Sequence, residues 1–358
     1  MNDLYKVSIL VPVYNVEKYV SKCLESLFSQ TYTNLEYIFI DDCSTDNSMK
    51  IIIDFLDLYK QRKESVKIIK HEKNRGLAAA RNTAVKAATG EFIVHVDSDD
   101  WVETSMIEKL VQMQQNFNAD IVNCGHILHT KRNTIMRIEK YNEDVHKLTL
   151  NILRGDLFHY IWGRLIRKAL YETYNIKNIE GANVSEDLYT SSLLFYNAHK
   201  IVYLKEALYH YNCFNDSSYC SYFTEDKNHQ DWVNRDYLRE YFESKGKEYN
   251  EAMDFEHTKF GASSILRASS EPNHREYIKW IRERLDKIDK GYRKYLCREQ
   301  RIALKIRSYA LLRVFTISFN FFKKMRSLIG SRLPGVRDAY WKHKNNENRM
   351  ISTTILKN

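Results

Sequence analysis

Residues 92–101, Phe-Ile-Val-His-Val-Asp-Ser-Asp-Asp-Trp, set three carboxylates directly after a run of strand-forming residues. Phe92 to Val96 reads as a short buried strand, with Asp97, Ser98, Asp99 and Asp100 at its carboxyl end. Open α/β sheets bind their ligands at that edge. Carboxylates this close repel one another unless they are solvated, cap a helix or are neutralised by a cation. Hard divalent cations such as Mg²⁺ and Mn²⁺ take oxygen ligands, and Mg²⁺ sites combine one or two carboxylates with substrate phosphates. The stretch therefore points to a metal–diphosphate site. The competing reading is that Asp99 or Asp100 merely caps a helix starting near Glu103.

The elements that position these acids follow from local pattern. Val7 to Val13 is a continuous apolar run, as in a strand buried on both faces, and Pro12, lacking an N–H, marks its end before Tyr14 and Asn15. A second strand, 36–40, runs into Asp41-Asp42-Cys43-Ser44-Thr45-Asp46, and a third covers 66–69. Helical spacing links these strands: Val16 to Phe28, then Ile52 to Leu58, then the Ala-rich 77–88, which carries Arg81 and Asn82 on its first turns. Alternation of β and α predicts an α/β fold: a Rossmann-like, mostly parallel sheet with helices on both faces. Right-handed crossovers place the strand ends on one edge, so one cleft collects Tyr14, both acid clusters and Arg81.

Beyond this, 103–117 reads as a helix and 120–125 as a strand, while 126–147 is polar and ambiguous. Ser185 is a candidate N-cap for a helix through 198, with short strands at 201–204 and 208–211. From about 225 the pattern is helical and charged. The expected division is a domain over 1–222 (1–101 nucleotide-binding, 102–222 acceptor-binding) and a helical, basic region over 223–358.

The chain has 358 residues and a net charge of +9, with Lys and Arg outnumbering acids from Arg275 onward. That balance favours an anionic partner for the tail. Six scattered cysteines without metal spacing fit reduced thiols, and residues 1–6 show no leader pattern, so a cytoplasmic location is expected.

Four stretches stand in order: Val-Pro-Val-Tyr-Asn at 11–15, Ile-Asp-Asp-Cys-Ser-Thr-Asp at 40–46, Gly-Leu-Ala-Ala-Ala-Arg-Asn at 76–82 and Val-Asp-Ser-Asp-Asp at 96–100. Together they resemble the nucleotide-sugar half of the family-2 glycosyltransferases, which have the GT-A fold. The likeness runs more loosely through Trp162-Gly163-Arg164 and Ser185-Glu186-Asp187 to about Tyr211. It implies that Pro12 and Tyr14 wall the base pocket, that Asp42 or Asp41 accepts from the base edge, and that Arg81 and Ser98 lie near the nucleotide. It places Asp97 near the ribose and the metal, and assigns Asp99 to the divalent cation, Mg²⁺ or Mn²⁺, in an Asp-X-Asp motif. Arg164 would neutralise the diphosphate; the alternative is a surface cation on a helix.

Glu186 and Asp187 resemble the acidic pair that supplies the general base, Asp187 as base and Glu186 in support. Acids after Ser185 also suit a first helical turn electrostatically. Where the family commonly has an Arg after its Leu-Tyr-x-Tyr segment, this chain has Asn212. His210 reads as packed rather than ligating. The implied activity is inverting, metal-dependent transfer of a hexosyl or N-acetylhexosaminyl group from a nucleotide-sugar donor, a UDP-sugar, to a glycan or lipid-linked glycan in surface polysaccharide synthesis. A non-catalytic nucleotide-sugar or glycan binder on the same fold is the alternative; no nucleic-acid motif is present.

In the tail, Leu304, Leu311, Val314, Phe315, Phe321, Phe322, Met325 and Ile329 gather on one side of a helix over 301–329 at ~100° per residue. Arg301, Lys305, Arg313, Lys323, Lys324 and Arg326 gather opposite, while Arg307 falls on the apolar side and breaks the pattern. The helix is a candidate for peripheral contact at the inner face of the cytoplasmic membrane, or for packing with its cations in water. Residues 342–358 read as a frayed polar end.

Overall fold

Val7–Val13 (β1), buried at all seven positions, is the strand about which the sheet is laid. In the computed structural model, which describes residues 5–131, 133–139, 144–214, 223–330 and 351–356, β1 is flanked by two parallel partners. These are Leu35–Asp41 (β2) and Phe92–His95 (β4), and Val66–Lys70 (β3) lies outside β2. Strands covered on both faces need apolar residues at nearly every position, which is why β1, β2 and β4 read as runs, whereas β3, at the sheet edge, is largely exposed.

Helices Val20–Phe28 (α1), Ser48–Leu58 (α2), Lys60–Lys63 (α3) and Leu77–Ala87 (α4) connect them. The apolar face of α1, with Val20, Cys23, Leu24, Leu27 and Phe28 buried, closes the core over the sheet.

The strand does not stop at Pro12. β1 continues to Val13, and the reason lies in the neighbours. Odd residues of β1 bond toward β2, as in Val7 N to Asn34 O and Asp42 N to Val13 O. Even residues bond toward β4, whose register with β1 ends at Leu10. The N–H that Pro12 lacks would have pointed where no partner strand runs.

Trp101–Val102 (β5) occupies the stretch after the acids, and the next helix, Met106–Phe117 (α5), begins at Ser105. Neither Asp99 nor Asp100 caps it. Ile121–His129 (β6) and Thr134–Glu139 (β7) form an antiparallel pair in the stretch left ambiguous above. Val145–Leu153 (α6) follows, then Arg164–Arg167 (β8), antiparallel to both β4 and β6. Lys168–Thr173 (α7) and Glu186–Asn197 (α8) lead to Ile201–Asn212 (β9). The two short strands expected there are one, paired to β6 with register shifts around Gly125, and to β5. Ile351–Leu356 (β10) adds to the edge of β7, so part of the segment read as frayed is a strand.

A second, helical unit holds Glu225–Glu243 (α9), Lys247–Ser270 (α10), Arg275–Leu285 (α11), Arg298–Lys305 (α12) and Tyr309–Gly330 (α13). Its core contains Trp232, Phe260, Ile265, Ile281, Leu285, Leu304 and Leu312. The single helix expected over 301–329 is two. Arg282 donates to the carbonyls of Ala303, Leu304 and Ile306 at 3.1, 3.1 and 2.7 Å, which satisfies the end of α12 and fixes the break before α13.

Gly90, just before β4, lets the strand approach β1. A Cβ there would lie 2.6 Å from Lys6 O and 2.7 Å from Ser8 Oγ. Gly90→Ala is expected to destabilise the protein by about 1–3 kcal/mol, as overpacking does. Urea denaturation would read this as a lower midpoint; an unchanged midpoint would show that the approach is not tight.

Candidate functional site

The turn after β4 separates its acids by environment. Asp100 N donates to Asp97 O at 3.0 Å and closes the turn. The Asp100 carboxyl is buried and accepts from Tyr209 Oη and Asn212 N, both at 2.7 Å. Burial, then the charges of Asp99 and Asp97, push its pKa well above the usual carboxylate range. Asn212 Nδ2 also donates to Asp99 O at 3.1 Å, and Tyr209 Oη accepts from Asp97 N at 3.2 Å. The end of β9 thus clamps the acidic turn, and Asn212, where the family commonly has Arg, does so through its amide. Asp97 keeps 23% of its side chain exposed, Asp99 is part-exposed, and Ser98 is buried between them.

Arg81, on α4, lies beside this turn. It is buried, with Nη2 2.9 Å from Asp97 Oδ1 and Nε 3.4 Å from Glu186 Oε1. Burial alone would lower its pKa, but Asp97, Glu186 and Asp187 raise it. The loop that brings Glu186 here is docked on α4 by polar pairs. Asn82 Nδ2 donates to Asn178 O at 2.9 Å and Asn178 N to Asn82 Oδ1 at 2.8 Å. Asn183 Oδ1 accepts from Ala78 N at 3.0 Å, capping α4, and Arg75 Nη2 meets both oxygens of Glu180 at 2.9 Å.

Glu186 and Asp187 open α8 but differ in surroundings. Glu186 is buried; desolvation and the charge of Asp187 lift its pKa to about 8 against the pull of Arg81. Asp187 keeps 22% of its side chain exposed, accepts from Leu188 N at 2.8 Å and faces His159 Nε2 at 3.9 Å. Ser185 precedes the helix with a left-handed φ of 57° and no side-chain capping bond. The expected Ser cap is absent, so the acids of the first turn face its open N–H groups.

At the ends of β1 and β2, Tyr14 is 48% exposed, while Pro12 is buried within the strand. Asp42 accepts from His71 Nδ1 at 2.7 Å, Arg75 N at 2.9 Å and Gly76 N at 2.7 Å. These bonds commit it to shaping the turn before α4. Asp41 accepts from Ser44 N at 2.8 Å.

Arg164 departs from one of the two expectations. It lies on a strand, not a helix, and is buried, with Nη2 2.8 Å from Phe158 O and its guanidinium 4.8 Å over the Phe195 ring. It is therefore not a surface cation on a helix. His210 stacks on Trp101 at 5.1 Å and bonds Glu103 at 2.8 Å and His129 at 2.9 Å, which makes it a packed residue as read.

The sequence reading gave no part to Tyr209, Asn178, Asn183 or His159. Asn82 was noticed beside Arg81, but nothing local signalled its partner near 178.

The donor types suit a hard divalent cation: Asp97 and Asp99 are partly exposed carboxylates on one turn, beside Asp100, whose pKa is raised by burial and then by their charges. Among the described residues no group of three or more His, Cys, Asp or Glu is spaced to hold a metal alone. Such a cation would complete its coordination with a ligand's oxygens.

The sequence profile of "Glycosyl transferase family 2" matches residues 8–174. "Glycosyltransferase GlyG" of Streptococcus pneumoniae is 33% identical over 217 residues, covering 57% of this chain and 70% of GlyG. "Uncharacterized glycosyltransferase EpsJ" of Bacillus subtilis is 34% identical over 214 residues, covering 57% of this chain and 60% of EpsJ. An Escherichia coli protein, "UDP-Glc:alpha-D-GlcNAc-diphosphoundecaprenol beta-1,3-glucosyltransferase WfgD", is 38% identical over 133 residues, covering 35% of this chain and 50% of WfgD. The chain thus spans about 60% of the length of several curated relatives it matches. Among solved structures, S. aureus TarS 1–349 in complex with UDP-GlcNAc superposes with a TM-score of 0.65 at 20% identity, covering 88% of this chain and 91% of that one. Likeness at that identity shows the fold, the GT-A arrangement expected from the sequence.

The pKa of Glu186 has a consequence for stability. A carboxyl raised from 4.5 to about 8 on folding contributes stability that is complete below its unfolded value and is lost as pH rises through the folded one. Glu186→Gln removes that dependence. Its melting temperature should therefore gain on the wild type as pH rises from about 5 to about 8; parallel curves would contradict the assignment.

Proposed function

The chain belongs to glycosyltransferase family 2, and on that premise we propose that it transfers a hexosyl or N-acetylhexosaminyl group from a UDP-sugar to a hydroxyl of a glycan or lipid-linked glycan, with inversion. The observation that carries this reading is the Arg81 bridge. It ties an acid of the Asp-X-Asp turn to the acidic pair opening α8, so a leaving-group site and a proton acceptor stand together.

Of the acidic pair, Asp187 is the base. Glu186 is buried against Arg81 with its pKa raised to about 8, whereas Asp187 is the more exposed of the two. Two neighbouring carboxyls that differ in exposure take different roles. Asp187 accepts the proton of the acceptor hydroxyl, whose oxygen attacks the anomeric carbon from the side opposite the diphosphate. The bond from that carbon to the phosphate oxygen breaks, and its electron pair leaves with the nucleoside diphosphate. A Mg²⁺ or Mn²⁺ ion bound by Asp99 and the free oxygen of Asp97 would stabilise the charge on the departing phosphate as a Lewis acid. Arg81 keeps Asp97 oriented.

Tyr14, with its exposed ring, stacks on the nucleobase, and Asp41 accepts from the base edge in place of the committed Asp42. The UDP donor is supported by the ligand named for TarS and the activity named for WfgD. Surface-glycan synthesis follows from the same relatives. The five described cysteines are free thiols, which fits the cytoplasmic side of the membrane.

Asp187→Asn is expected to cut transfer by about 10²–10⁴-fold while UDP-sugar binding and melting temperature hold. UDP release in the presence of acceptor extract and calorimetric donor binding would measure the two effects. Normal transfer by Asp187→Asn would sink the base assignment. Metal-dependent UDP-sugar binding by the wild type, without turnover on any acceptor, would make the protein a binder.

A further inference from the structure

The packing of α13 inverts the usual logic of a helix on a soluble unit. Its inward face is narrow: Leu312 and Thr316 are each 1% exposed, and Thr316 Oγ1 lies 2.8 Å from Ser269 Oγ on α10. Leu311, Val314, Ile317, Phe321, Phe322 and Met325 are 64, 63, 48, 59, 68 and 40% exposed. At ~100° per residue they fall within a face roughly 140° wide, opposite Leu312 and Thr316. Two phenylalanines in one exposed apolar stripe are more than the scattered apolar residues of an ordinary surface.

Charge selects the occupant. Residues 301–330 carry seven Lys and Arg and no Asp or Glu. Arg313 and Lys324 border the stripe along one side, while Lys323 falls on the side of Leu312 and Thr316. A purely apolar partner would leave these cations unanswered, and a basic partner would be repelled. An apolar face edged with cations and free of acids matches a layer with anionic headgroups above hydrocarbon. The helix lies on such a layer rather than across it. The uncharged run Val314–Phe322 is far short of the ~20 residues a span needs. Among the described residues no helix is long and apolar enough to cross a membrane.

We propose that α13 docks the protein on an anionic lipid surface, with Leu311, Val314, Phe321, Phe322 and Met325 entering the acyl boundary and Arg313 and Lys324 at the headgroups. This goes beyond the transfer reaction and is tested without it.

The full chain is sedimented with vesicles of phosphatidylcholine, alone or mixed with phosphatidylglycerol, carrying neither donor nor acceptor. It should pellet with the anionic vesicles, stay in solution with the neutral ones, and be released as salt is raised. Phe321→Ser/Phe322→Ser and Lys324→Glu should each weaken binding about tenfold or more, with melting temperature and UDP-sugar binding unchanged. The proposal is overturned if the wild type ignores anionic vesicles, or if both variants bind as it does. It is also overturned if sedimentation velocity shows a dimer that Phe321→Ser/Phe322→Ser abolishes and that anionic vesicles do not dissolve. Loss of transfer in Asp187→Asn, or its absence, leaves this result unaffected.

Discussion

One buried guanidinium holds two groups of acids that would otherwise repel each other. Arg81 sits between the turn after β4 and the first turn of α8, contacting Asp97 at 2.9 Å and Glu186 at 3.4 Å. A charge taken out of water costs several kcal/mol unless paired, so the arrangement stands only as a set. Moving Asp97 away would leave Arg81 buried and half answered; moving α8 would do the same from the other side. The polar pairs between α4 and the 178–183 loop fix the remaining distance. The bridge thereby turns two segments about ninety residues apart in sequence into one site.

Within that site adjacent acids divide their work by exposure. Asp100 is buried and bound by Tyr209 and Asn212, and it shapes the turn from which Asp99 and Asp97 are presented. Glu186 is buried against Arg81, and its neighbour Asp187 faces outward beside His159. Asp42 grips the 71–76 turn through His71, Arg75 and Gly76. In the turn after β4 and at the start of α8, one carboxyl is buried and its neighbour is the more exposed.

The sequence made the sheet and the acid clusters readable because their signals are local. Apolar runs mark strands buried on both faces, and Gly and Asn mark the turns between them. The division of roles inside each cluster was not readable. Whether Asp99 or Asp100 is structural depends on Tyr209 and Asn212, more than a hundred residues on, and no spacing rule reaches that far. Arg164 misled for the same reason: its burial is set by Phe195 and the Phe158 carbonyl, contacts that its own segment does not hint at. Pro12 was read as a strand end because a lone strand cannot reveal that its neighbour stops at Leu10. In the tail, periodicity found the apolar stripe, but only the burial of Leu312 and Thr316 shows that the stripe faces away from its own unit.

The central claim is that the acids after β4 grip a cation only together with a diphosphate. Mn²⁺ binding followed by electron paramagnetic resonance tests it most directly. Mn²⁺ should bind weakly to the protein alone and become immobilised when UDP is added, and Asp99→Ala should abolish that immobilisation while the protein stays folded. Mn²⁺ held equally well without UDP, or immobilised with UDP in Asp99→Ala as in the wild type, would contradict the account.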